Sequence, residues 1–324
     1  LLHLTGTFGS IGIFNIEDDC MLTSEVTVVG SLTLKGKRKA DGRLPKIVGS
    51  GSNRLFRLQS NGNLNLDLVE LTKGSSPDIF GTKADATLRE GGAIYAAARE
   101  GSSIQFTNGK ITHSRAVSGG AIYVNNNNSN IKLFNVELSN NTAKKTGGGI
   151  FISGASTLVV DSCDIVSNSA VGSLKTKNIG RGGAFYCDAC VMTVTKSLFF
   201  KNKATHSGGA FHMQTGTFPC NVTIQSSWIQ SNEIGTITNS STDGGGAIFF
   251  TNDIRLTLKN TTFKGNSAGK VYGNEMFHVI SDYKNDKVVL EVVDTTFNTG
   301  NYFNVNDLAS FDAITGKHVP WSLN

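Results

Sequence analysis

Long apolar runs are missing from the chain. No stretch of eighteen apolar residues occurs in its 324 positions, so no helix is expected to cross a membrane. Proline is scarce at 4, and with no Gly-X-Y period this excludes a collagen-like rod. Cysteine, at 5, is too sparse for a disulfide scaffold of this size. The 6 histidines (His3, His113, His206, His212, His278, His318) show no ligand spacing, so no metal and no cofactor is expected. A 3.6-residue period and helix caps are also lacking, which argues against a helical solenoid. No nucleic-acid partner is expected. The chain opens on Leu1-Leu2-His3 with no initiator methionine and no signal-peptide pattern, as expected of a processed product or a fragment.

Glycine, by contrast, is abundant at 37. Much of it sits in one phrase: "GGAIYA" from Gly91, "GGAIYV" from Gly119, "GGGIFI" from Gly147, "GGAFYC" from Gly182, "GGAFHM" from Gly208 and "GGAIFF" from Gly245, with a worn "GNEMFH" from Gly273. It returns after 28, 28, 35, 26, 37 and 28 residues. The base repeat is therefore 26–28 residues, with insertions near 72–90, 171–181 and 233–243. A second phrase aligns Asn141, Asn168, Asn202, Asn232 and Asn266, preceded by Ser114.

Three residues before that Asn column stands an apolar one: Leu71, Ile111, Leu138, Ile165, Phe199, Ile229, Phe263, Phe297. Ten and eight residues before it stand two more, such as Ile104 and Phe106, or Leu256 and Leu258, with mostly polar residues between. That alternation marks half-buried strands, several per repeat. The fold class expected is all-β, a right-handed parallel β-helix. Nine or ten coils stacked at about 4.8 Å would make a rod about 45 Å long. It should form a single solenoid over 1–300, with capping coils at about 1–20. Residues 301–324 would be a C-terminal cap or partner-contact segment, offering Phe303, Phe311 and Trp321.

Within "GGAIY" the fourth and sixth positions should point inward, and the glycines should form the corner before the strand. The fifth position is then outward: Tyr95, Tyr123, Phe151, Tyr186, His212, Phe249, Phe277. Such a ring stripe either stacks on itself or serves as a platform for a sugar chain, a covering loop or a neighbouring subunit. The Asn column reads as a structural ladder, with a metal or sugar site as its rival.

Net charge is +5, unevenly placed. Lys35, Lys37, Arg38, Lys39, Arg43, Lys46, Arg54 and Arg57 face Asp41 alone within residues 35–57. This basic patch either meets an acidic polysaccharide, a phosphate-bearing surface or an acidic partner, or is a solvated loop. Cys190 and Cys220 each precede their Asn by twelve residues, so they should lie one above the other and form a disulfide. Cys187, in an inward column, is expected as a buried free thiol, and Cys163 belongs to a small-residue column with Ser197 and Ser227. The sequons Asn127, Asn140, Asn221, Asn239 and Asn260 are glycosylation candidates, Asn127 and Asn239 above all. The acids Glu137, Asp161, Asp164 and Asp188 are read as isolated, none recurring in the same column of an adjacent coil.

The paired phrases "GGAI" (Gly91–Ile94, Gly119–Ile122, Gly245–Ile248) and "FxxN" (Phe199–Asn202, Phe263–Asn266) resemble the repeats of the chlamydial polymorphic outer-membrane proteins. That resemblance covers about residues 55–300 and implies a right-handed β-helix. In that family the repeats form an adhesive passenger ahead of a membrane barrel; no barrel pattern is present here. Pectate lyases and polygalacturonases share only the architecture; the acid pair Asp18-Asp19 falls in the expected capping coils, and no Ca²⁺-binding Asp group with a catalytic Arg is apparent. The leading expectation is a non-catalytic extracellular or cell-surface rod: an adhesin, coat or filament component. Its partners would be other subunits, a host or cell-surface molecule, or an acidic polysaccharide. A polysaccharide-binding module and a carbohydrate-active enzyme are the alternatives.

Overall fold

A computed structural model describes residues 6–77, 89–97, 100–125, 127–172, 180–216, 218–235, 244–251, 253–268, 276–278, 288–297, 303–305 and 311–317. Most of each insertion lies outside them. Among the described residues there are strands and turns and no helix. Ten coils contribute one strand to each of three long sheets and an eleventh adds one to the first two, giving eleven, eleven and ten strands, and five coils add a strand to a short fourth sheet. Every paired neighbour is parallel and comes from the adjacent coil. The fold is a parallel β-solenoid.

The apolar columns give the register. In the first sheet Ile94 pairs with Ile122, then Ile150, Phe185, Phe211, Ile248 and Met276. In the second, Leu64, Ile104, Ile131, Leu158, Met192, Val222, Leu256 and Leu290 follow one another. In the third, Leu71 to Phe297 do the same. Side chains of period two from three sheets converge on one continuous core cluster. No coil could bury its own face alone, so the stability belongs to the stack.

The two glycines of the repeated phrase do different jobs. Gly119 has φ of 61°, a left-handed conformation that disfavours a Cβ. Gly120 is needed for space: a Cβ there would stand 2.1 Å from the carbonyl oxygen of Gly148 in the next coil. Between the second and third sheets the left-handed corner falls to Asn108, Asn135, Ser162, Lys196, Ser226 and Asn260, with φ between 46° and 55°. The corner after the third sheet carries the Asn column. Asn168 donates from its backbone N–H and from Nδ2 to Asn202 Oδ1, at 2.9 and 3.1 Å. The same Nδ2 donates back to the carbonyl of Leu138 at 2.8 Å. This pattern runs from Ser114, whose N–H meets Asn141 Oδ1 at 2.9 Å, to Asn266. All five Asn side chains are buried.

Within the segment expected as capping coils, about 1–20, the described residues supply the first strand of the first and second sheets, Gly6–Phe8 and Ile11–Ile16, and begin that of the third, Cys20–Leu22. At the other end Phe303–Val305 and Phe311–Lys317 extend the first and second sheets into the segment expected as a C-terminal cap. Trp321 lies outside the described residues.

Candidate functional site

The ring column is the most regular surface feature. Tyr95, Tyr123, Phe151, Tyr186, His212 and Phe249 stack nearly parallel, with successive centroids 5.7, 4.6, 5.2, 4.9 and 4.6 Å apart. Phe277 continues the register along the backbone. The faces of the inner rings are therefore turned to each other. Tyr95, Tyr186, His212 and Phe249 are buried, while Tyr123 and Phe151 are half-buried. The edges are tied as well: Asn125 Nδ2 donates to the Tyr123 hydroxyl at 3.1 Å, and Ser207 Oγ lies 2.9 Å from His212 Nδ1. Burial, reinforced by the Arg181 charge, holds the His212 imidazole well below its ordinary range, so it is neutral. Burial likewise pushes the Tyr123 and Tyr186 hydroxyls up.

At the start of this column Arg54 is fully buried, its guanidinium 4.5 Å from the Tyr95 centroid and its Nε 2.5 Å from Glu25. Nearby, burial raises the Glu90 carboxyl to about 7 against the opposing hydrogen bonds from Ser118.

The basic stretch is dispersed rather than massed. Lys37 faces Glu17 at 3.6 Å, Lys39 faces Asp19 at 2.7 Å, and Arg43 faces Asp41 at 2.6 Å. Lys46 faces Glu70 at 3.5 Å, and Arg57 shares Glu25 with Arg54. Lys35 stands in register with Asp67 of the next coil, and Arg38 donates to the carbonyl of Gly42. Acids brought from other coils neutralise a patch that looks cationic in one dimension.

The cysteines differ from expectation. Cys190 and Cys220 do occupy adjacent coils, with the Asn221 N–H bonded to the Cys190 carbonyl. The disulfide, however, joins Cys187 to Cys190, whose Cα atoms are 5.7 Å apart within one corner. The short turn between them bends the strand end back, so the two sulfurs meet inside the coil. Cys220 is a buried thiol, pushed up to about 12 by burial, and its Sγ lies 3.0 Å from that of Cys187. Cys163 is buried too, accepting the Val136 N–H on its sulfur while its own N–H meets Ser197 Oγ.

The acids also need correction. Glu137 and Asp164 are register partners in adjacent coils, on the outward face of the third sheet, with Lys110 and Glu70 preceding them in the column. A groove of about 200 Å³ runs there, lined by Arg38, Leu44, Lys110, Glu137 and Asp164 and by the corner amides Asn108 and Asn135. Lys110 Nζ lies 2.6 Å from Glu137 Oε2, and Ser139 Oγ donates to Oε1 at 2.7 Å. Burial pushes the Glu137 carboxyl up, but these bonds outweigh it and hold it below the usual range. Glu137 is therefore ionised at neutral pH and is no general acid.

Residues 135–153 match the model of the Chlamydia polymorphic membrane protein repeat. The chain resembles that repeat. The matched segment runs from the Asn135 corner through Glu137–Ser139, Asn141 and Gly147 into the strand Ile150–Ser153, so it contains both recurring phrases. The chain is also 32% identical over 164 residues to metabotropic glutamate receptor-like protein R of Dictyostelium discoideum. That alignment takes in 46% of this chain and 10% of the other, so this chain spans about a tenth of that relative. No solved structure matches the chain. No helix among the described residues is long and apolar enough to cross a membrane.

Around the polymorphic membrane protein-like repeat, the sequons Asn127, Asn140, Asn221 and Asn260 are exposed, and Asn239 lies outside the described residues. Sequence reasoning missed Trp228, which is 54% exposed in the same outward column as Glu137 and Asp164. Its signal was available: it falls one position before the inward Ile229, and the 27-residue step from Glu137 to Asp164 equals that from Asn141 to Asn168.

Proposed function

We propose that the chain is a non-catalytic, extracellular surface rod, an adhesive or coat component that touches other proteins or glycans through its outward faces. The observation that carries this reading is the fate of the repeated polar columns. The Asn ladder and the ring stack are closed on themselves, and the acid pair in the open groove holds an ionised, lysine-paired Glu137. A hydrolase would need one protonated and one ionised carboxyl flanking the same bond. The likeness to a membrane-protein repeat supports a surface location. So do the four exposed sequons and the intact disulfide, which suit an oxidising compartment. Glycosylation at those four Asn residues belongs to the same proposal.

A second reading, a carbohydrate-active enzyme, is favoured by one observation: the raised pKa of Glu90, a carboxyl beside the rings of Tyr95 and Tyr123. Two experiments separate the readings. Antibody against the chain should label intact, unpermeabilised source cells; labelling only after permeabilisation overturns the surface rod. The purified chain should release no reducing ends from pectin, alginate or xylan. Release that disappears in Glu90→Gln would establish the enzyme instead.

A further inference from the structure

The outward face of the third sheet departs from the rest of the solenoid. Its first outward column runs Lys110, Glu137, Asp164, Leu198, Trp228, one residue per coil in unbroken register. Its other outward column brings Phe200 beside Leu198, with Gln230 next along. Coils repeat at about 4.8 Å, so on this strip the Trp228 ring lies two coils beyond the Asp164 edge of the polar groove and three beyond Glu137. Trp228 has no ring partner among the described residues, in contrast to the stacked column on the first sheet.

We infer that this strip binds an extended, neutral glycan chain. The inference rests on the surface-rod reading and names the partner of that surface. Three properties of the strip select this occupant. First, the groove is electrically balanced, with Arg38 and Lys110 opposed by Glu137 and Asp164. An acidic polymer gains little there, because Lys110 is already paired with Glu137 and the lining carries as many acids as cations. Second, a protein interface has a core depleted of charge, whereas here ionised groups occupy one half of the strip and leave a small apolar half. Third, a sugar chain is amphipathic at the scale of one ring. Its C–H face covers a tryptophan ring, and its hydroxyls both give and take hydrogen bonds. The amides of Asn108 and Asn135 and the carboxylate of Asp164 supply those partners, and Asn135 Nδ2 is held in line by its bond to Asn108 Oδ1 at 2.9 Å.

The test is titration of the whole chain with cellohexaose, mannohexaose and chitohexaose, with hexagalacturonate as the acidic counterpart, followed by tryptophan fluorescence and calorimetry. At least one neutral hexasaccharide should bind, with little change when salt is raised. Trp228→Ala should weaken that binding by about tenfold or more without moving the unfolding midpoint, and Asn135→Ala by a smaller factor. Unchanged affinity in Trp228→Ala overturns the site. So does preference for hexagalacturonate that salt abolishes, or failure of all three neutral chains to bind. Any of these with surface labelling of cells retained removes the glycan strip alone; loss of surface labelling removes the reading beneath it.

Discussion

The first and third sheets share one register and use their outward faces in opposite ways. On the first, rings recur coil after coil and cover one another, so the column ends as buried structure. On the third, the column changes from lysine to acids to leucine to tryptophan, and Trp228 is left open to solvent. The difference teaches how to read a solenoid. A residue type that repeats in every coil can be satisfied by its own copy in the next coil. A residue type that appears once must find its partner elsewhere, inside another element or outside the molecule.

Five changes break or sharpen that contrast. The largest effect is expected beneath the ring column, at the corner that launches it. Gly148→Ala places a Cβ 2.1 Å from the Gly183 carbonyl oxygen, and only backbone is there to yield. Denaturant unfolding should show a loss of more than about 4 kcal/mol, or no folded protein at all. Phe151→Ala removes two stacked contacts, at 4.6 and 5.2 Å, and should cost about 2–3 kcal/mol by the same measurement.

The third change is read as a pH dependence. His212 has a depressed folded pKa, so its contribution is present above the unfolded value of about 6.5 and lost as pH falls. Below that point wild-type stability should decline steadily relative to His212→Phe as pH falls. Glu90 works with the opposite sign. Its raised pKa favours the protonated fold, so its contribution fades as pH rises from its ordinary range through about 7, and Glu90→Gln should remove that fade. Thermal unfolding across pH 5 to 8 checks both; parallel curves for wild type and His212→Phe would refute a buried neutral imidazole. The smallest effect belongs to the third sheet, where Trp228→Ala should change stability by no more than about 0.5 kcal/mol, because the ring is held by nothing the fold needs.

Most of the fold was legible in the primary structure, for the same reason the contrast exists. Columns such as Leu64 to Leu290 and Asn141 to Asn266 obey a fixed step, and a parallel ladder converts that step directly into contact. The outward orientation of Tyr123 and Phe151 followed from strand alternation. The burial of Tyr186, His212 and Phe249 in the same column did not, since alternation gives the direction of a side chain and not what lies over it. The basic stretch misled because its acids arrive from Glu17, Glu25 and Glu70, far away along the chain and adjacent in space. At the cysteines the coil-to-coil alignment of Cys190 and Cys220 was readable, but the bond depends on how the Cys187–Cys190 corner bends within a single coil. Glu137 and Asp164 were readable and overlooked: their 27-residue step is the repeat itself.

The asparagine ladder carries one more consequence. Asn141, Asn168, Asn202 and Asn232 each donate from N–H and Nδ2 toward the following coil and accept on Oδ1 from the preceding one. The ladder thus has a direction, set by the parallel stacking of the coils. It begins and ends inside the solenoid, with strands of earlier coils before Ser114 and strands of later coils after Asn266. Each link fixes the step between two coils, so extra residues must leave the stack as loops: Asn168 to Asn202 and Asn232 to Asn266 are joined by the same bonds across 34 residues that join Asn141 to Asn168 across 27.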